Sequence, residues 1–259
     1  MRIVIPMVSV VVFSTCLTFS AHGDPLLDDD FTAFDPVSGG VWQGATGLSQ
    51  SPYTYEGLPQ VQEVTTLDGR SVLHVQSTLS VNAFRGYQTV QSWPLSTAHV
   101  ELDVQPMLGS DHFVELWLVD ASLQNGFGFS IHKNSFNPDT ERLVNFHDLT
   151  SGVRTSPASS TGPIWDMNQW YRVVMDGSAT SFSVSFKDGM GAELWSHAVP
   201  YGLAQKGSEF KLCLIQLRGS GETEIGAAFD RIVMTPEPAG LLLLVLGGLA
   251  AVRRRRTIG

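Results

Sequence analysis

Residues 168–195 open with Asn168-Gln169-Trp170-Tyr171-Arg172-Val173-Val174-Met175-Asp176-Gly177. They continue through Ser181-Phe182-Ser183-Val184-Ser185-Phe186-Lys187 to Asp188-Gly189 and Glu193-Leu194-Trp195. The middle run alternates without a break. A strand turns successive side chains to opposite faces, so Phe182, Val184 and Phe186 make an apolar face while the serines and Lys187 make a polar one. Trp170 to Met175 reads as a strand ending at Asp176-Gly177, and Asp188-Gly189 is a second hairpin-type dipeptide. The stretch predicts successive antiparallel strands with one side turned to a core.

The same grammar extends in both directions. His99-Val100-Glu101-Leu102-Asp103-Val104 alternates polar and apolar, and Phe127, Phe129 and Ile131 share a face opposite Gly128, Ser130 and His132. Lys211 to Leu217 is apolar almost throughout, which predicts a central strand covered on both sides. Asp68-Gly69 and Asn125-Gly126 supply further turns, and Pro94, Pro106, Pro138 and Pro163 are expected at strand boundaries. Ser151 to Pro163, rich in Ser, Thr, Gly and Pro, reads as an exposed loop. No amphipathic helical stretch and no internal repeat stands out. Many short strands with turns at this spacing indicate an all-β two-sheet sandwich or a barrel.

Composition sets limits on function. The chain has 259 residues and a net charge of −9. Arg2 and the run Arg253, Arg254, Arg255, Arg256 hold five of its 16 basic residues, while all 25 acidic residues lie between Asp24 and Glu237. The body is therefore strongly acidic, which excludes nucleic acid as a partner because that needs a basic footprint. Of the two cysteines, Cys16 falls in the N-terminal apolar segment. That leaves Cys213, in the apolar run Lys211–Ile215, as a buried inert thiol.

The two ends carry addresses. Met1-Arg2, the apolar run from Ile3 to Phe19, and small residues at Ala21 and Gly23 predict a secretory signal at 1–23, cut after Gly23 by signal peptidase once the translocon has engaged it. A retained anchor is the alternative. At the other end Pro236-Glu237-Pro238 precedes Ala239 to Val252, which carries no charge, and then the four arginines. Fourteen residues at about 1.5 Å each give about 21 Å, short of a hydrocarbon core of about 30 Å. The arginines would hold the cytoplasmic side. A translocated body, a short apolar stop and a basic end are the parts of a temporary anchor that presents a cleavage site; an ordinary single-pass anchor is the alternative.

This tail, 236–259, resembles the PEP-CTERM sorting signal of exported proteins of Gram-negative bacteria. The resemblance implies recognition by an exosortase-type transpeptidase and a place at the cell surface, in the cell envelope or in an extracellular polysaccharide matrix. The hairpin at 168–195, together with the closing run Ala228-Phe229-Asp230-Arg231-Ile232-Val233, resembles that of concanavalin A-like, laminin-G-type jelly rolls. Such folds would place the last strand beside a first strand beginning near Asp29-Asp30-Phe31. The implied domain is an antiparallel jelly-roll sandwich over 24–235; galactose-binding and immunoglobulin-type sandwiches share such hairpins.

Several chemistries can be weighed. The resemblance brings in glycoside hydrolases, which need two carboxyl groups facing one sugar. Glu101 and Asp103 share a strand face, but the third position of the hydrolase motif is Pro106, and Gln105 beside it is no acid. The histidines make no H-E-x-x-H, and no G-x-S-x-G elbow occurs. A non-enzymatic surface protein whose sandwich binds carbohydrate or serves structurally is the favoured reading; a polysaccharide-active hydrolase is the alternative. Glu115 and Trp117 would share a face of one strand, with His132, Asn145 and His147 at comparable places on its neighbours, a candidate saccharide contact set. Calcium is the one cofactor for which ligands are offered, at Asp28, Asp30 and Asp230 if first and last strands pair; a solvated acidic segment explains the same residues.

Overall fold

The decisive hairpin forms with Phe182, Val184 and Phe186 fully buried and the residues between them partly exposed, as alternation requires. The computed structural model describes residues 25–36, 40–94, 97–108, 113–133, 142–218 and 224–235. The expected signal 1–23, Pro236-Glu237-Pro238, the apolar segment 239–252 and Arg253–Arg256 lie outside the described residues.

The first strands in chain order are β1 (Leu27–Asp29), β2 (Trp42–Gly44), β3 (Thr54–Tyr55), β4 (Val61–Leu67), β5 (Arg70–Thr78), β6 (Ala83–Thr89) and β7 (Trp93–Pro94). Then come β8 (Thr97–Leu108), β9 (Phe113–Asp120), β10 (Gly126–Lys133), β11 (Arg142–Thr150) and β12 (Val153–Ser159). The last are β13 (Tyr171–Ser178), β14 (Phe182–Asp188), β15 (Glu193–Val199), β16 (Glu209–Arg218) and β17 (Glu224–Thr235). One sheet runs β15-β14-β13-β8-β17-β5-β4, with β1 also on β17. The second runs β12-β11-β10-β9-β16-β6-β2, with β3 on β6 and β7 on β16. Every pairing is antiparallel except β3 with β6. The result is a two-sheet jelly-roll sandwich, and the first and last strands pair as expected, Asp28 opposite Val233.

The inner faces interdigitate. Leu102, Val104, Val173, Met175, Phe182 and Phe186 of the first sheet meet Leu116, Leu118, Phe127, Phe129, Phe146 and Leu214 of the second. Phe127 and Phe182 stack with centroids 4.4 Å apart. A separate cluster lies on the far side of the second sheet: Phe84, Trp117, Val119, Cys213 and Ile215 pack under Ala45, Leu48, Tyr53 and Tyr55. That second layer explains why Lys211 to Leu217 reads as apolar nearly throughout: its strand is covered on both sides.

Four local expectations need correction. Asp176-Gly177 is not a turn; both residues lie inside β13, paired with Ser183 and Phe182, and the chain reverses over Ser178–Ser181. Glycine is needed at 177 for space, since a Cβ there would sit 2.0 Å from Leu203 Cδ1. Ser151 to Pro163 is not all loop, for Ser151-Gly152, at φ 52° and 74°, turns the chain into β12. That strand is a sheet edge, so most of it, Pro157 included, is exposed instead of alternating with a core, while Arg154 turns inward. Pro106 lies within β8, at the irregularity where β17 shifts register between Gly226 and Ala227, a place where a missing N–H is tolerated. The first strand ends at Asp29, before Phe31, whose φ of 58° breaks extended pairing.

Because Phe182 is fully buried between Phe127 and Phe146, Phe182→Ala is expected to lower unfolding free energy by about 3–5 kcal/mol, read from urea denaturation followed by tryptophan fluorescence.

Candidate functional site

Antiparallel register gathers the predicted saccharide contacts. Glu115 lies opposite Ser130, and Ser130 opposite Asn145; Trp117 lies opposite Gly128, and Gly128 opposite His147. All five residues singled out, Glu115, Trp117, His132, Asn145 and His147, therefore share the outer face of the second sheet. The face is not an open groove, however. Glu115 is 1% exposed, and Trp117 and His147 are 0% exposed, while His132 and Asn145 are half-buried at the margin.

Local sequence explains how Trp117 lies down. A Cβ on Gly128 would come within 2.4–2.6 Å of three ring atoms, so the indole rests flat on the sheet where the neighbouring strand lacks a side chain. His147 stacks beside it at 5.6 Å and 17°. Trp117 Nε1 donates to Glu115 Oε2 at 2.7 Å. The other carboxylate oxygen pairs with Nη2 of Arg154 at 2.6 Å. Arg154 also reaches Gln50 Oε1 at 3.2 Å and lies over the rings of Tyr53 and Trp117.

Burial holds the His147 ring well below its usual pKa, with the Arg154 charge adding to the effect. The ring is therefore neutral: Nε2 accepts from Arg154 at 2.9 Å and Nδ1 donates to Ser156 Oγ at 2.8 Å. The 3.9 Å approach of His147 to Glu115 is thus no charged pair. The cluster is a self-contained buried network closed from above by the segment carrying Gln50 and Tyr53. Arg154 and Gln50 had no sequence signal. One stands in an apparent loop, the other about 65 residues before the strand it covers. Cys213 lies in the same layer; burial pushes its thiol up to about 12, so it stays protonated.

The outer face of the first sheet is the opposite case, charged and open. Arg172 binds Asp103 through Nε at 2.7 Å and Nη2 at 2.8 Å, and its Nη1 lies 3.4 Å from Glu101. The two acids with hydrolase-like spacing are thus clamped by one guanidinium. Next along, His99 joins Asp176 at 2.6 Å and Glu101 at 3.0 Å. The hydrogen bond to Asp176, opposed by burial and aided by Glu101, raises the imidazole to about 9.

The acidic start of the domain is spent on neighbours. Asp28 is held by Arg231 at 2.8 and 2.6 Å, and Asp230 by Arg70 at 2.8 Å. Asp30 caps its own turn, accepting from Thr32 N and Oγ1. The first and last strands do pair, but Arg231, not Asp230, meets Asp28. Among the described residues no three His, Cys, Asp or Glu side chains gather as a metal site.

No protein-family profile matches the chain, and no curated protein matches it in sequence. Solved structures share its fold. A peanut lectin bound to a nonapeptide is 12% identical, with TM-score 0.52, over 82% of this chain and 97% of that one. A Bacillus licheniformis beta-glucanase is 14% identical, with TM-score 0.56, over 82% and 98%. A CBM2 module of the evolved Dit protein of Lactobacillus casei BL23 phage J-1 is 8% identical, with TM-score 0.59, over 82% and 94%. The class is therefore a concanavalin A-like jelly roll, whose structural neighbours include lectins, a carbohydrate-binding module and a glucanase.

Two outcomes follow from these geometries. Glu115→Gln leaves Arg154 buried without its counter-charge and is expected to destabilise by about 3–5 kcal/mol, whereas adding Arg154→Met recovers most of the loss in the same urea titration. His99, raised in the fold, stabilises fully below its unfolded pKa of 6.5; that contribution fades as pH climbs through about 9. Melting temperature should therefore fall between these limits in the wild type, and His99→Gln should flatten that slope.

Proposed function

We propose that this chain is an exported cell-surface or matrix protein of a Gram-negative bacterium whose jelly-roll domain binds polysaccharide without cleaving it. The address rests on the sequence of the two ends: the secretory signal at 1–23, and Pro236-Glu237-Pro238, the apolar segment and Arg253–Arg256, read by an exosortase-type transpeptidase during transient membrane retention. The carbohydrate reading is supported by the fold's likeness to lectins and a carbohydrate-binding module. A structural role in the matrix is the outcome if no saccharide binds.

The observation that carries the non-catalytic reading is the engagement of the candidate acids. Glycoside hydrolysis needs two carboxyl groups on either side of an accessible sugar, one able to give a proton. Glu101 and Asp103 are held by Arg172, and Glu115 by Arg154 beneath a closed layer. A carboxylate engaged by a guanidinium in this way is not placed to hand a proton to a glycosidic oxygen, which needs direct hydrogen-bond reach.

Cells producing the chain without residues 236–259 are expected to release it to the medium, while the intact chain stays on the surface, measured by protease shaving and immunoblot. Soluble polysaccharides should be retained by the protein with no new reducing ends. Sugar release that disappears in Glu101→Gln or Glu115→Gln would establish a hydrolase instead.

A further inference from the structure

The open, charged face of the first sheet contains a groove of about 270 Å³. Asp103 and Arg172 lie at its floor, Trp170 and Arg70 line it toward the β4–β5 turn, and Lys187 and Met190 line it toward the β14–β15 turn. A second depression of about 100 Å³ adjoins it through Glu101, Asp103 and Arg172. The larger groove is near the lower end of the volumes that hold small ligands, about 300–1,000 Å³.

Its construction is specific. Trp170 Nε1 donates to Asp68 Oδ2 at 3.1 Å, which fixes the indole, and the Arg70 guanidinium lies 4.8 Å from the ring centroid. Arg70 is itself anchored on Asp230. The ring is thus oriented before any ligand arrives, which lowers the ordering cost of binding. Met190, at the tip of the β14–β15 turn, is 93% exposed, an apolar side chain with no folding reason to be there. Lys187 enters no ion pair among the described residues.

We propose that this groove holds a neutral pyranose unit of a polysaccharide chain, with Trp170 as the apolar platform and the second depression continuing the track. The inference deepens the saccharide-binding reading and rests on it. Sugar rings present an apolar C–H face and hydroxyls that both donate and accept. The groove offers the fixed indole of Trp170 among donors (Arg70, Arg172, Lys187) and acceptors (Asp103, Glu101, Asp188). Those lining charges balance in number, and the body around them is acidic, so the site gives no net attraction to a polyanion. Nothing here depends on the buried Glu115 network, which lies on the other sheet.

The test titrates the full chain, held in detergent, with soluble neutral glucan, galactan and mannan and with polygalacturonate. At least one neutral polymer should bind, with a Kd changing less than about twofold between 0.05 and 0.5 M salt, since no counterions are displaced. Trp170→Ala should weaken it by about tenfold or more, a loss of about 1.4 kcal/mol, and Lys187→Ala and Met190→Ala, both outside the core, by smaller factors. Unaltered binding in all three variants overturns the groove and leaves the saccharide reading intact. Binding to none of the polymers overturns both. Binding confined to polygalacturonate and lost at high salt overturns the neutral class. If Trp170→Ala fails to fold, the Lys187 and Met190 variants decide.

Discussion

The contact between Glu115 and Arg154 is the constraint on which the second sheet depends. Its central strands β9 and β16 are buried on both faces, and a strand buried on both faces has no water to satisfy a polar side chain. Once Glu115 is placed there, everything near it must answer its charge: Arg154 from the edge strand, the indole N–H of Trp117, and a His147 kept neutral so that it can accept from Arg154. Gly128 belongs to the same solution, because only a bare backbone lets the indole lie flat over the sheet. The edge strand β12 is therefore more than a rim. It carries the cation that makes the interior of this layer electrically tolerable, and Gln50 and Tyr53 close over that cation from outside.

The two sheets thus divide the labour. The second has surrendered the middle of its outer face to packing, which supplies apolar burial on two sides of β9 and β16 and encloses Glu115. The first keeps its outer face in water and fills it with cross-strand ion pairs: Arg172 with Asp103, His99 with Asp176, Arg231 with Asp28. Exposed pairs of this kind add little stability, about 0–1 kcal/mol each. Two of the pairs on this sheet, Arg172 with Asp103 and Arg70 with Asp230, have a further effect: they hold long side chains in defined places beside Trp170. An ordered polar surface with a fixed indole is a different object from a merely solvated one, because its donors and acceptors are already in place.

The predicted contact set shows how far pattern reaches. Alternation groups Glu115, Trp117, His132, Asn145 and His147, and they do share one face, because period-two geometry is local and needs only the strand. What alternation cannot say is what lies above that face. The covering residues Ala45, Leu48 and Tyr53 come from a segment about 65 residues earlier, with no regular strand pattern to mark its destination. Asp176-Gly177 misled for a similar reason: the dipeptide suits a tight turn, yet here glycine answers the approach of Leu203 from elsewhere in the chain.

By itself, the amino-acid sequence determined the all-β class, the central double-sided strand at Lys211–Leu217, the buried Cys213 and the inward facing of Phe127, Phe129, Ile131, Phe182, Val184 and Phe186, since each follows from periodicity or composition within a few residues. Tertiary structure decided which faces stay open. Long-range pairing buried Glu115 against Arg154, turned Arg231 instead of Asp230 toward Asp28, and brought Arg70 across the sheet to Trp170. Those outcomes depend on contacts between residues far apart in sequence, where burial and charge are set by the partner and not by the neighbour.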